Sequence, residues 1–372
     1  MHEAELLLNR GGGAPRKQRV TINDIASQAG VSKTAVSFAF NTPGRLSPDT
    51  VQRIVGIAQE LGYAPNPIAR SLNTRRTNAL GVIVPQDIPT VLSNSFFLQL
   101  LSGIGQVCNH EGMSLMVVPP MRGSLVEATY GALVDGCIVT GLEPGDEVVR
   151  ALRRRNLHFV MLDADAPEDV ACVNVNDFEG AWLAMQHVLR LKHRNIAIVS
   201  FESFTGKVDS YTGTLRRRFD GFRAALKEAG LTLRSRGIHC MECRCSIAGG
   251  DEAFERIMEL SPLPTAIVAL SDAIAYGILQ AARRHKISVP GQLSVVGFDD
   301  LELSSLIQPP LTTIRQSIAE KGRRAAELLV EAIRGRNTHP RHVVLPVELV
   351  TRESTGPLSG RSARAAHRPA HP

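Results

Sequence analysis

The residues with the clearest chemical potential share one face of a short helix near the amino terminus. Helical spacing places these polar or aromatic side chains together: Lys33, Thr34, Ser37, Phe38 and Asn41. The opposite face is apolar and is expected to be buried. A helix that exposes such side chains can read base edges in the major groove of DNA. An ordinary helical hairpin with a solvated polar face is the alternative.

The segment that must position this helix is predicted to be a helix-turn-helix. Thr21 can cap a first helix, and Asp24 three residues later completes a capping box. Gly30 ends that helix with the left-handed backbone that a tight turn needs, and Ser32 caps the second helix. A third amphipathic helix completes a small bundle, so we predict a DNA-binding domain over residues 20–65.

Two basic segments flank this domain. Residues 1–19 lack periodicity and predict a flexible basic arm, either a leader without function or a contact to phosphates. Residues 66–77 combine a proline-initiated short helix with several arginines, among them Arg70, and with Leu72 at the helix end. A helix of two turns is marginal alone in water, so we expect a hinge helix and linker that need support to become ordered.

After the hinge, short apolar runs alternate with helical segments. The runs are residues 79–85, 114–119, 136–141, 158–164, 195–201, 265–270 and 293–300. Apolar strands separated by helices predict an α/β core over residues 78–353, built from parallel sheets in two Rossmann-like subdomains. Ligands bind such sheets at the carboxyl ends of the strands. Asp163, Ser271, Asp272 and Asp299 lie at such ends.

The sequence contains no motif that marks a catalytic site. A phosphate loop, a nucleophile elbow and a zinc-protease motif are all missing, so we predict binding without chemistry and without a cofactor. Cys240, Cys243 and Cys245, next to His239, could bind a soft metal or sense oxidants. Residues 238–242 predict a strand, however, and its alternate side chains point to opposite faces, so we predict no metal site.

The composition is typical of a soluble globular protein with more than one domain. The chain has 372 residues, of which 44% are hydrophobic and 21% charged, and its formal net charge is +6. The sequence has no secretory segment or membrane-spanning run, and six cysteines in this length do not indicate a disulfide framework. We therefore expect a cytoplasmic protein with access to the nucleoid.

Residues 354–372 predict a disordered basic tail. The tail has no coiled-coil repeat that would join dimers into a tetramer, so we expect a dimer.

The sequence resembles the LacI–GalR family of bacterial repressors from residue 20 to about residue 353. The motifs that carry the resemblance are VTINDIASQAGVS, LSPDTVQRI, ELGYAPNPIARSL and TRRTNALGVIVP. The resemblance implies a homodimer on a pseudo-palindromic DNA operator, with recognition helices in the major grooves and paired hinge helices in the minor groove. It also implies that Lys33 and Thr34 read bases and that Leu72 wedges into the central base step. The expected DNA-contacting residues are Thr21, Ser32, Lys33, Thr34, Ser37, Phe38, Asn41, Arg70 and Leu72.

One position of the recognition helix departs from the family pattern. Phe38 stands where family members often carry arginine. Phenylalanine cannot make a bidentate contact with guanine, although it can pack on the methyl group of thymine. The resemblance therefore does not transfer an operator sequence.

The resemblance also implies a core with the periplasmic sugar-binding-protein fold, in which the chain crosses between subdomains three times. We expect crossings near residue 175, within 302–316 and near 338. Family effector-binding positions match Arg218, Asp299 and Gln316, and Asp272 could instead only cap the following helix. Cys245 stands where the family often has a stacking aromatic residue, which weakens a prediction of a sugar or purine ligand. The expected effector-binding residues are Asp163, Arg218, Cys245, Ser271, Asp272, Asp299 and Gln316.

These observations together predict a ligand-responsive, sequence-specific transcriptional regulator that acts as a repressor. Its effector is expected to be a small polar molecule, such as a sugar or related metabolite, in the core cleft. A solute-binding protein would share the core fold but needs an export signal and no DNA-binding domain. A two-domain α/β enzyme is the other alternative, and it would turn over a bound sugar.

Overall fold

The computed structural model describes residues 20–64, 71–72, 74, 76–203, 206, 208–336 and 341–358. The chain forms two compact units, one ending at Thr77 and the other beginning at Asn78. We call the first unit the headpiece and the second the core. Over the described ranges, no helix is long and apolar enough to cross a membrane.

Residues 20–64 of the headpiece form a three-helix bundle. Its helices are α1 (Ile22–Ala29), α2 (Lys33–Asn41) and α3 (Pro48–Glu60), with a single 3-10 turn at Pro43–Arg45. Ile25, Val36 and Ile54, one from each helix, are fully buried and form the centre of its core. Gly30 ends α1 with φ 65°, a left-handed conformation that glycine adopts without a steric penalty. The predicted helix-turn-helix is therefore confirmed.

The core contains two six-stranded sheets flanked by helices. Its strands are β1 (Ala79–Ile83), β2 (Ser114–Val118), β3 (Gly136–Thr140), β4 (His158–Leu162), β5 (Cys172–Val175), β6 (Ile196–Phe201), β7 (Ile238–Cys243), β8 (Ala266–Ala269), β9 (Ser294–Asp299), β10 (Thr312–Gln316), β11 (His342–Leu345) and β12 (Val347–Val350). The first sheet has the order β11-β5-β4-β3-β1-β2 and is parallel. The second has the order β12-β10-β9-β8-β6-β7, and β12 alone in it is antiparallel.

The core helices follow the strands in the alternation expected of an α/β fold. They are α4 (Ile88–Ser93), α5 (Ser95–Glu111), α6 (Leu125–Gly131), α7 (Glu147–Arg154), α8 (Asp177–Arg190), α9 (Gly213–Glu228), α10 (Ile247–Met258), α11 (Asp272–Arg284) and α12 (Ile318–Ile333). Short 3-10 segments occur at Val208–Ser210 and Glu302–Ser305. All seven predicted apolar runs contain a strand, and the predicted fold class is confirmed.

The chain crosses between the two sheets three times. The first crossing, at Asn176 between β5 and α8, lies next to the predicted residue 175. The second is at Ser317, one residue beyond the predicted range, because β10 still belongs to the second sheet. The third is at Pro346 and not near 338, because β11 pairs with β5 of the first sheet before the chain passes to β12.

The core extends beyond its predicted end at residue 353, so the boundary that placed a disordered tail from residue 354 is wrong. Ser354 is fully buried, and its hydroxyl donates to the carbonyl oxygen of Val295 at 2.6 Å. The backbone N–H of Leu358 donates to the carbonyl oxygen of Leu191 at 3.0 Å. These hydrogen bonds hold the residues after β12 against the second sheet. Residues 359–372 lie outside the described residues.

Two helices of the first subdomain cross at unusually short distance. A Cβ atom on Gly103 of α5 would lie 1.9 Å from the carbonyl oxygen of Ala319 in α12, and one on Gly322 would lie 2.3 Å from that of Leu100. Only glycine allows the two backbones to approach this closely. The crossing fixes the first turns of α12 against α5.

Gly103→Ala should therefore destabilise the core. The added methyl group must push the backbone of α12 away, at a cost of about 1–3 kcal/mol. Gly105→Ala is the matched control on the same helix, because a Cβ there meets nothing within 4 Å. That control should be neutral or should stabilise by about 0.5–1 kcal/mol. Thermal unfolding of both variants checks the difference, and equal unfolding temperatures would contradict the close crossing.

Candidate DNA interface and effector cleft

Side-chain caps fix both helices of the helix-turn-helix. The backbone N–H and the hydroxyl of Thr21 donate to the Asp24 carboxylate at 2.7 and 2.8 Å. The Ser32 hydroxyl oxygen accepts from the backbone N–H of Ala35 at 3.1 Å. Thr21 and Ser32 therefore perform the capping roles that the sequence predicts, and both remain exposed at the amino ends of their helices.

The predicted reading face of α2 lies at the surface of the headpiece. Lys33 and Thr34 are exposed, whereas Ser37, Phe38 and Asn41 are half-buried. The amide nitrogen of Asn41 donates to the Ser37 hydroxyl oxygen at 3.3 Å, which links successive turns of the helix. The structure therefore brings the five predicted residues together on one accessible face.

Most of the predicted hinge, including Arg70, lies outside the described residues. Leu72 is described in a helical conformation, and 75% of it is exposed. An apolar side chain this exposed in the free protein is available for contact with a partner.

The centre of the core cleft is a buried carboxylate. Asp299 ends β9, between the carboxyl ends of β8 and β10. The Ser271 hydroxyl donates to one of its oxygens at 3.1 Å, and the Gln316 amide donates to the other at 2.6 Å. Burial, and then the nearby Asp272 carboxylate, raise the pKa of Asp299 to about 7. Three sequence-predicted residues thus meet where an α/β sheet binds ligands.

A lysine that the sequence analysis missed joins this group to the other subdomain. Lys321 lies near the start of α12 and is 1% exposed. Its ammonium donates to both carboxylate oxygens of Asp163 at 2.9 and 2.8 Å. It also donates to the side-chain amide oxygen of Gln316 at 3.0 Å. Asp163 follows β4 of the first sheet, whereas Gln316 ends β10 of the second. We call the connected side chains Asp163, Lys321, Gln316, Asp299 and Ser271 the cleft network.

The backbone is strained where the carboxylates of this network enter the cleft. Asp163 has φ 58°, and Asp299 has φ 131°. Positive φ is uncommon for residues other than glycine and is found preferentially at functional sites. The strain therefore supports a binding role for these two strand ends.

Arg218 lies next to the network but is anchored by its own subdomain. Its Nε donates to Asp177 at 2.9 Å, and Nη1 donates to the carbonyl oxygen of Leu270 at 2.7 Å. The guanidinium carbon lies 3.6 Å from the centroid of the Phe298 ring. Arg218 is 5% exposed, so these contacts hold a buried positive charge close to Asp299.

Asp272 has a different environment from Asp299. Its carboxylate accepts from the backbone N–H of Leu301 at 2.9 Å and from the hydroxyls of Ser304 and Thr313 at 2.6 and 2.5 Å. The residue is fully buried. Three internal donors therefore occupy this carboxylate, which holds the chain after β9 against α11.

A second set of contacts closes the cleft between the subdomains. Arg216 and Arg217 of α9 donate to the two oxygens of Asp165, which follows β4, at 3.0 and 2.5 Å. The Thr214 hydroxyl donates to the carbonyl oxygen of Asp163 at 3.2 Å. Burial opposes ionisation of Asp165, but the two arginines hold its pKa below the ordinary value. These contacts between α9 and the residues after β4 therefore close one edge of the cleft.

Of the three clustered cysteines, Cys240 and Cys243 pack against different hydrophobic clusters of the core. Cys240 and Cys243 belong to β7, and burial raises their pKa values to about 11 and about 12. Burial also raises the pKa of Cys245 to about 11, and its thiol contacts Ser271. Thiols with such values are protonated at neutral pH and are poor nucleophiles. Among the described residues, no cluster of histidine, cysteine and carboxylate side chains could hold a metal ion.

Comparisons with known proteins agree with this arrangement. The family model for bacterial regulatory proteins of the lacI family matches residues 21–66, and that for a periplasmic binding protein-like domain matches residues 185–355. The HTH-type transcriptional regulator DegA of Bacillus subtilis (strain 168) is 33% identical over 351 residues, covering 92% of this chain and 99% of that protein.

Two solved structures extend the likeness to the fold of most of the chain. The lac repressor dimer bound to operator and the anti-inducer ONPF has a TM-score of 0.76 at 26% identity, covering 91% of this chain and 100% of that chain. A LacI family regulator from Enterococcus faecium with bound ribose has a TM-score of 0.66 at 27% identity, covering 76% and 100%. This chain therefore belongs to the LacI family of bacterial regulatory proteins.

Proposed function

We propose that this protein is a repressor that binds a pseudo-palindromic DNA operator as a dimer and releases or engages it in response to a small polar effector. The observation that carries the proposal is the joint presence of an exposed reading face on α2 and the cleft network. A solute-binding protein does not need a DNA-reading helix, and a protein that only binds DNA does not need a ligand cleft. We propose no enzymatic activity and a site of action inside the cell, at the nucleoid.

The chemistry of the cleft network suits a ligand rich in hydroxyl groups. The Asp299 carboxyl group is an acceptor, and the Lys321 ammonium and the Ser271 hydroxyl are donors, whose bonds within the network can be exchanged for bonds to a ligand. A polyhydroxylated ligand supplies both kinds of partner, and the ribose bound to the Enterococcus faecium regulator is such a molecule. A sugar or related metabolite is therefore our proposed effector class.

The proposed effector contacts differ in one addition and one omission from those that the sequence predicts. We add Lys321, because its ammonium lies at the centre of the network. We omit Asp272, because internal donors occupy its carboxylate. The remaining proposed contacts are Asp163, Arg218, Cys245, Ser271, Asp299 and Gln316.

For the DNA side we keep the sequence-based assignment as a proposal. Lys33 and Thr34 are the base-reading residues, supported by their exposure at the start of α2. Residues 66–77 form the hinge, and Leu72 is its wedge.

Genomic footprinting of the protein tests the proposed function, because it would reveal discrete palindromic sites near regulated genes. Footprints without a shared sequence would contradict it.

Lys33→Ala should change which bases are preferred in each half-site, because the ammonium contacts base edges in the major groove. Selection from a randomised operator library measures this preference. Arg16→Ala, in the amino-terminal arm, is the control and should weaken all sequences alike or have no effect. An unchanged motif for Lys33→Ala would show that this face does not read bases.

Leu72→Ala should lower affinity for the operator and reduce DNA bending, because the apolar wedge is lost. Non-specific binding should persist, since it depends on contacts between basic residues and phosphates. Gel shifts with circularly permuted operator fragments report the bend angle and the affinity together. A variant with wild-type bending would exclude Leu72 as the wedge.

Asp299→Asn should produce an operator-binding protein that no longer responds to effector. Replacing one acceptor oxygen by an amide NH2 group leaves ligand donors poorly paired, at a cost of about 1–3 kcal/mol, or roughly ten- to a hundred-fold in affinity. A thermal-shift screen of neutral sugars, followed by gel shifts with and without the sugar found, measures both properties. Normal effector binding by the variant would refute the assignment.

The pH dependence of stability provides a check on Asp299 that needs no ligand. The folded protein keeps the Asp299 proton up to about pH 7, whereas the unfolded chain releases it near pH 4. Wild-type stability should therefore fall relative to that of Asp299→Asn as the pH rises across this interval, by at most about 1.4 kcal/mol per pH unit. Parallel curves of unfolding temperature against pH would contradict the burial of this carboxyl group.

A further inference from the structure

An arginine outside the recognition helix lies against an aromatic side chain of that helix. The Arg45 guanidinium carbon is 5.0 Å from the centroid of the Phe38 ring. A guanidinium at this distance from a ring face is attracted to it. Phe38 lies one helical turn after Thr34 and just under one turn before Asn41. The contact therefore brings Arg45 to the edge of the exposed face of α2.

The backbone after α2 determines where Arg45 lies. The helix is followed by Thr42 and by the 3-10 turn Pro43–Arg45. The N–H of Arg45 donates to the carbonyl oxygen of Thr42 at 3.0 Å, and the N–H of Leu46 donates to that of Pro43 at 3.0 Å. Leu46 packs against the headpiece core. The turn is therefore fixed at both ends, and the Phe38 ring restricts the remaining freedom of the arginine side chain.

The surroundings leave the charge of Arg45 available for DNA. No acidic residue occurs between Lys33 and Leu46, and the next carboxylate, Asp49 at the start of α3, forms no salt bridge with Arg45. Arg45 is exposed, its guanidinium carbon lies over the Phe38 ring, and its hydrogen-bond donors are all on the N–H edge of the guanidinium. That edge has the planar donor geometry that matches O6 and N7 of guanine.

We propose that Phe38 and Arg45 form one reading unit, in which Phe38 positions Arg45 for a bidentate contact with a guanine in each operator half-site. Arg45 is then a specificity-determining residue, and Phe38 acts through it. The inference rests on the proposed function, because it requires sequence-specific DNA binding. A contact from Arg45 to phosphate would use the same charge but would carry no sequence information.

Selection of the full-length protein on a randomised palindromic library tests this unit. The wild type should select a guanine that Arg45→Ala no longer selects, with discrimination at that position falling about tenfold or more and the other positions kept. Arg45→Lys should also lose the preference, because lysine keeps the charge but lacks the planar fork. Phe38→Leu should weaken the same preference, because leucine keeps apolar bulk but has no ring face. Arg53→Ala, an exposed arginine on α3, is the charge-matched control and should leave the motif unchanged.

The outcomes separate this inference from the proposed function. If the wild type selects no motif at all, the proposed function fails. If Arg45→Ala keeps the motif and weakens all sequences alike, Arg45 contacts phosphate and the inference is overturned. If Phe38→Leu keeps the full guanine preference, the positioning role is overturned. Circular dichroism must show wild-type helix content for each variant, and Phe38→Met replaces Phe38→Leu if that variant unfolds.

Discussion

The core depends on a charge that has been removed from water. The Lys321 ammonium is almost fully buried, and an isolated buried charge is too costly to persist without a partner. Asp163 supplies that partner through both carboxylate oxygens. Asp163 and Lys321 both belong to the first subdomain, so neutralising this charge requires the end of β4 and the start of α12 to meet. The hydrogen bond from Lys321 to Gln316 brings the end of β10, in the second subdomain, to the same place.

Several other features of the core are consistent with this requirement. The glycines at the crossing of α5 and α12 let α12 approach closely enough to deliver Lys321 into the cleft. Gln316 donates to Asp299 and accepts from Lys321, so it transmits the position of the ammonium to the second subdomain. The arginine contacts to Asp165 then close the edge. A ligand that takes over any of these hydrogen bonds changes the relative energy of open and closed clefts, which is what coupling to a distant site requires.

The sequence was most informative where the signal is local. Caps at Thr21 and Ser32, the left-handed Gly30 and continuous apolar runs each depend on near neighbours, and the structure confirms them. Short strands at the crossings were missed, because four or five residues are too few to show a periodic pattern of their own. The sequence alone also could not separate Asp299 from Asp272. Both end or follow apolar strands, and only the tertiary donors around Asp272 distinguish it.

Lys321 was missed for a related reason. In a helix rich in charged residues, one more lysine is expected at the surface, and nothing in its spacing reveals a partner far away in the chain at Asp163.

A double-mutant cycle between Lys321 and Asp163 tests the account most directly, using Lys321→Met, Asp163→Asn and the double variant in equilibrium unfolding. Asparagine keeps the tolerance for positive φ at position 163. The account predicts a coupling energy of about 1–3 kcal/mol, with the double variant more stable than the sum of the single losses implies. Additive losses would show that the buried Lys321 ammonium does not depend on Asp163 as its partner.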